Sequence, residues 1–199
     1  DIGTQEEPDY LMTMHGMFWK FPEHFTIQNS AGIRPRSAYL KVIGDFARWN
    51  GKLVLGCDDA AKREFLNKRK HKGGIGGPGQ SNSNLWFTDP DMPDKLGPST
   101  ASGSVWLNEE LKAGSVSEPM LFSGWQYRTI WLQNTGTADA SYTLEIDKQG
   151  DNNWKILKMM VVPAGKSIYS KFKDDETGTW IRVRVDAPTT TTVSFNYSD

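Results

Sequence analysis

The sequence has 199 residues, 37% hydrophobic and 24% charged, with a net charge of −1. That length suits one or two globular domains with a real core. No run of about 18 apolar residues occurs, which excludes a membrane-spanning helix, and with one short basic patch in a chain acidic elsewhere, no nucleic-acid or membrane partner is expected.

The first ten residues, "DIGTQEEPDY", are acidic and lack an apolar segment, so no signal peptide is read in the chain; a removed or upstream signal is compatible with them. "MHGMFWKFP" and "SAYLKVIGDF" then read as short strands. "FARWNGKLVLGC" places Asn50-Gly51 between two strand-like runs, the strongest short-range hairpin signal. Cys57 is the single cysteine, so no internal disulfide can form and the redox compartment stays open. Inside "LVLGC" it reads as a small buried hydrophobe. "DDAAKREFLNKRKH" is the one helix candidate, with Asp58 or Asp59 as its cap. "GGIGGPGQSNSN" is a connector that lacks the strand–turn–helix context of a phosphate loop. "SNLWF" is a further short strand and "DPDMPDKLG" a loop.

Beyond "LGPSTASGS", residues 96–104, the texture changes. In "ASYTLEID", "TWIRVRVD" and "TVSFNY" apolar and polar residues alternate, the mark of antiparallel sheets with one packed and one wet face. "YRTIWLQN", "WKILKMMVV" and "SIYSKF" add three strands, joined by turns rich in Gly, Asp and Asn. The expected fold is therefore all-β. An antiparallel, jelly-roll-like β-sandwich occupies residues 104–199, and residues 1–103 form propeller-like β-hairpins with long loops, including a basic loop over 58–80.

Candidate ligand contacts follow from charge and aromatic content. Between Lys62 and Lys72 six basic residues face Glu64 alone, a net +5 in a chain of −1 overall. Such a local positive field attracts an anion, and uronate polysaccharides fit because cations pair with carboxylates. Lys68, Arg69, Lys70 and Lys72 are the expected contacts, with Gln80, Asn82, Asn84 and Trp86 reaching sugar hydroxyls and ring faces. Eight Trp among 12% aromatics favour a sugar ligand, since indole stacks on pyranose C–H faces. Trp131, Tyr169 and Trp180 fall out of phase with the apolar rows of their strands, Trp180 together with Arg182 and Arg184. They would form either a stacking platform or an internal interface.

His15 with Arg34 and Arg36 would suit a lyase, one group removing a proton beside a carboxylate that another neutralises. Hydrolysis needs two carboxylates about 5 to 10 Å apart; Asp45, Asp58 and Asp59 are the candidates, and as turn or cap residues they need no catalytic role. Asp147, Gln149, Asp151 and Asn153 alternate like calcium-loop ligands, but Asn152 stands where that loop needs glycine, so a hairpin turn is expected. No metal or cofactor is expected.

"YLMTMHGMFWKFP", "GIRPRSAYLKVIGDF", "GCDDAAKREFLNKRK" and "GQSNSNLWF" resemble stretches of bacterial secreted proteins of polysaccharide degradation, built from a β-propeller and a carboxy-terminal β-sandwich. The resemblance implies an extracellular or periplasmic setting, a larger parent protein, and lyase or glycoside hydrolase relatives. It assigns no catalytic residue. The expected function is a carbohydrate-binding domain contacting an acidic polysaccharide. The alternatives are part of a polysaccharide lyase or glycoside hydrolase, and a structural docking domain of a larger enzyme.

Overall fold

The computed structural model describes residues 1–39, 42–58 and 83–199. The candidate helix and most of the basic loop lie outside them. The chain divides into two compact units, Asp1–Phe21 with Arg36–Gly97, and Pro22–Pro35 with Pro98–Asp199.

The first unit holds, but for Arg34 and Pro35 at the start of one strand, two three-stranded antiparallel sheets. One is ordered β1 (Tyr10–Met14), β2 (Met17–Phe21), β3 (Arg34–Ala38); the other β4 (Val42–Trp49), β5 (Lys52–Asp58), β6 (Ser83–Thr88). Asn50 and Gly51 both take positive φ, 46° and 74°, and join Trp49 to Lys52 as the two-residue turn that right-twisted strands require. His15 (φ 51°) and Gly16 do the same between Met14 and Met17. The expected hairpins are present, and no barrel or propeller closes among the described residues.

Alternation within β5 sends Leu53, Leu55 and Cys57 inward against Ile2, Leu11 and Phe18, with Tyr39, Phe46 and Trp86 packed around them. Each such side chain removed from water contributes about 1.5–3 kcal/mol. Arg36 locks the unit from its rim. Its guanidinium grips Asp94 through Nε and Nη2 (2.8 and 2.6 Å) and reaches Asp9 through Nη1 at 2.9 Å.

The second unit is a sandwich of eight strands: β7 (Thr100–Leu111), β8 (Met120–Leu121), β9 (Tyr127–Asn134), β10 (Ala140–Asp147), β11 (Trp154–Val162), β12 (Ser167–Lys171), β13 (Trp180–Val185) and β14 (Thr189–Ser198). One sheet runs β11-β10-β13-β8 and the other β12-β9-β14-β7. Every pairing is antiparallel. Consecutive strands mostly alternate between the sheets, which is the strand order of a jelly roll.

Ile130 and Leu132 of β9, Tyr142 and Leu144 of β10, Ile181 and Val183 of β13, and Val193 and Phe195 of β14 are wholly buried. They form the layer between the two sheets. The six strands read from sequence are all present, and β7 and β8 complete the set. β7 escapes a pattern search because its pairing with β14 shifts register twice and Asn108 takes φ 53° there.

Arg128 is the one charged group on the inner row of β9. It lies over the Phe122 ring at 4.2 Å and donates to Glu176 O and Lys173 O, holding the connection between β12 and β13. Asp147 fixes the turn before β11 by accepting from the amides of Gln149, Gly150, Asp151 and Asn152. That carboxylate is an anchor of its own hairpin, as an Asx-type turn requires.

Candidate functional site

The two outer faces of the sandwich differ in chemistry. On the β11-β10-β13-β8 sheet, Arg182 pairs with Glu145 at 2.7 Å and lies 4.3 Å from the Trp154 ring centre, and Arg184 bonds Glu145 and Asp186. Beside this ionic row the edge strand β11 exposes Ile156, Met159 and Val161. The arginines are neutralised where they stand.

The outer face of the β12-β9-β14-β7 sheet is built otherwise. Arg128, Ile130, Leu132 and Asn134 point inward, so Tyr127, Thr129, Trp131 and Gln133 point out. Register then fixes their neighbours. Tyr169 of β12 faces Trp131, which faces Ser194 of β14, which faces Ser104 of β7. One row along, Lys171, Thr129, Asn196 and Ser102 align, and beyond them Tyr127, Ser198 and Thr100. In these three rows there are aromatic rings, hydroxyls, one amide and one ammonium, and no carboxylate.

Tyr169 is 66% exposed and Tyr127 45%. The Lys171 ammonium sits 4.9 Å from the centre of the Tyr127 ring, a cation–π contact. Thr129 Oγ1 donates to Asn196 O at 3.1 Å, and the Ser104 and Ser194 hydroxyls bond each other at 2.7 Å. Tyr127, Thr129, Tyr169, Lys171, Asn196, Tyr197 and Ser198 line a shallow pocket of about 380 Å³. Such a surface offers flat rings for stacking, hydroxyls that both donate and accept, and a positive charge for an anion.

The sequence candidates fall into distinct places. Trp131 and Tyr169 meet on this face. Trp180 lies on the opposite sheet, where its indole N–H donates to Ser30 Oγ at 2.9 Å beneath the Pro22–Pro35 segment. His15 is exposed at a hairpin tip, and Arg34 is exposed on β3. Arg36 is ion-paired with Asp9 and Asp94. Trp86 packs against the first unit's core, while its neighbours Leu85 and Phe87 face out. Asn84 lies in β6, backbone opposite Cys57. Lys68, Arg69, Lys70, Lys72, Gln80 and Asn82 lie outside the described residues.

Tyr127, Lys171 and Asn196 were not among the sequence candidates. Tyr127 shares the phase of Trp131 on its strand, a signal that would have found it. Lys171 and Asn196 join them only through pairing.

No family model matches this sequence, and no curated protein does. Among solved structures, the SPBc2 prophage-derived protein YomS is 13% identical, with a TM-score of 0.38, over 51% of this chain and 95% of that one. PirA is 15% identical, with a TM-score of 0.30, over 50% of this chain and 93% of that one. A structure of CBM4, a carbohydrate-binding module, is 9% identical, with a TM-score of 0.25, over 80% of this chain and 78% of that one. At these scores none of the three fixes a function for this chain.

Proposed function

We propose that the protein is a carbohydrate-binding domain that contacts an acidic polysaccharide through the outer face of the β12-β9-β14-β7 sheet. One observation carries this reading: the rows containing Tyr127, Trp131, Tyr169, Lys171 and Asn196 combine exposed rings, hydroxyls and a cation without a carboxylate. Rings supply the stacking surface, and the hydroxyls exchange hydrogen bonds with sugar hydroxyls. Lys171 favours a uronate over a neutral chain. Such a role fits the extracellular or periplasmic setting that the sequence resemblance implies.

Calorimetric titration with uronate-rich and neutral polysaccharides, each at two ionic strengths, tests the reading. Salt-sensitive binding to the acidic polymers that Tyr169→Ala weakens roughly tenfold, the worth of about 1.4 kcal/mol, supports it. Silence with every polymer, or binding indifferent to that substitution, removes this face as the site.

A docking domain of a larger protein is the second reading. It is favoured by the outer face of the β4-β5-β6 sheet, where Trp49, Leu85 and Phe87 are exposed and Trp49 meets Phe87 edge-on at 6.1 Å. Exposed apolar groups in such a cluster mark contact surfaces. A lyase would need a base beside an unpaired cation, and Arg36 is bound to two carboxylates.

A further inference from the structure

Resting on the carbohydrate-binding reading of the β12-β9-β14-β7 face, we infer that the face takes the interior of an extended anionic glycan, laid along the strands from Tyr169 over Lys171 to Tyr127. It does not take a single sugar or a chain end. The geometry behind this is the register. Tyr169 is level with Trp131, Lys171 is level with Thr129, and Tyr127 lies two residues further along β9. Four residues of strand separate the level of Tyr169 from that of Tyr127, about 13 Å at the rise of an extended chain. One pyranose ring cannot touch both exposed tyrosines. A chain of several sugars can.

The residue that bears the charge stands between the levels of the two tyrosines. Lys171 falls midway along this path, and among the described residues no carboxylate pairs with it. Its ammonium leans over Tyr127 at 4.9 Å, so an anionic group that meets Lys171 belongs to a sugar flanked by stacked neighbours. Lys171, Tyr127 and Tyr169 line one shallow pocket on the sheet surface. Around Lys171, Thr129, Asn196 and Ser198 present polar groups at successive positions, suited to the hydroxyls of an extended chain.

The experiment is calorimetric titration of the full chain, at two ionic strengths, with oligomers of galacturonate, mannuronate and glucuronate and with neutral glucose oligomers, from monosaccharide to hexasaccharide. Each is used intact and with its reducing end converted to the alditol. The expected result is an affinity gain of roughly tenfold between the disaccharide and the tetrasaccharide, as the second ring engages, then a plateau. End reduction changes nothing at the tetrasaccharide. Lys171→Gln removes the salt dependence and the preference for charged over neutral oligomers, while thermal melting shows the variant folded. Tyr127→Ala flattens the gain in affinity with oligomer length.

If the disaccharide binds as tightly as the hexasaccharide, or the alditol loses binding, the chain-interior assignment is overturned and the carbohydrate-binding reading stands. If no oligomer of any length binds, both fall.

Discussion

The buried hydroxyl of Tyr142 on β10 donates to Thr191 Oγ1 on β14 at 2.8 Å, and Thr191 donates onward to the Gln133 carbonyl at 2.6 Å. The two sheets of the sandwich are thereby tied by a polar link through a largely apolar layer. Removing either end has unequal consequences. Tyr142→Phe leaves Thr191 with its Gln133 acceptor and costs about 1 kcal/mol; Thr191→Val strands the buried Tyr142 hydroxyl and costs about 1–3 kcal/mol. Denaturant unfolding of both single variants and the double variant should show the double less destabilised than Thr191→Val alone, because Tyr142→Phe removes the stranded hydroxyl.

Tyr169 should separate binding from stability. Its side chain is largely exposed, so Tyr169→Ala shifts the unfolding free energy by less than about 0.5 kcal/mol. Phe195→Ala, on the fully buried row of β14, costs about 3–5 kcal/mol by contrast. Chemical denaturation of the two variants beside glycan titration of Tyr169→Ala checks both statements. A large loss of stability in Tyr169→Ala would show that the ring belongs to the scaffold.

Acid should weaken the second unit through Glu176. Burial alone would raise this carboxyl, but the Lys173 amide at 2.6 Å and the Lys158 ammonium at 3.0 Å outweigh it and hold the pKa below the usual glutamate range. A depressed folded pKa means the contribution is present above the unfolded value, about 4.3, and is lost as pH falls through the folded value. Unfolding free energies measured from pH 7 to pH 3 should therefore fall on the acid side. Glu176→Gln should be less stable at pH 7 and show a shallower fall.

Gly150 should not tolerate a side chain. It takes φ 68°, and an added Cβ would sit 2.6 Å from the Ala31 amide nitrogen and 2.8 Å from Ser30 Oγ. Ser30 in turn donates from both its amide and its hydroxyl to Gly150 O. Gly150→Ala therefore costs the left-handed strain, about 1–2 kcal/mol, and pushes Ser30 away. Amide hydrogen exchange at Ser30 should accelerate in the variant while the Leu144 amide stays protected.

What the residues announced on their own was local. Period-two alternation in "YRTIWLQN", "ASYTLEID", "WIRVRV" and "TVSFNY" marks strands with one packed face because side chains alternate along any extended chain. Asn50-Gly51 marks a hairpin because that turn needs two positive φ angles, which Asn and Gly accept most readily. The same alternation put Trp131 and Tyr169 on wet faces.

Tertiary pairing decided the rest. Nothing local tells that Tyr169 meets Trp131 while Trp180 lies on the other sheet beneath Ser30, since that depends on which of eight strands pair. Alternation places Trp86 opposite Leu85 and Phe87, but only the packing of β6 beside Leu53 and Leu55 turned the indole inward. Arg36 looked available until the fold brought Asp94 to it from 58 positions away. Periodicity is a property of a few neighbouring residues, whereas register and charge pairing join positions that only the closed sheets make neighbours.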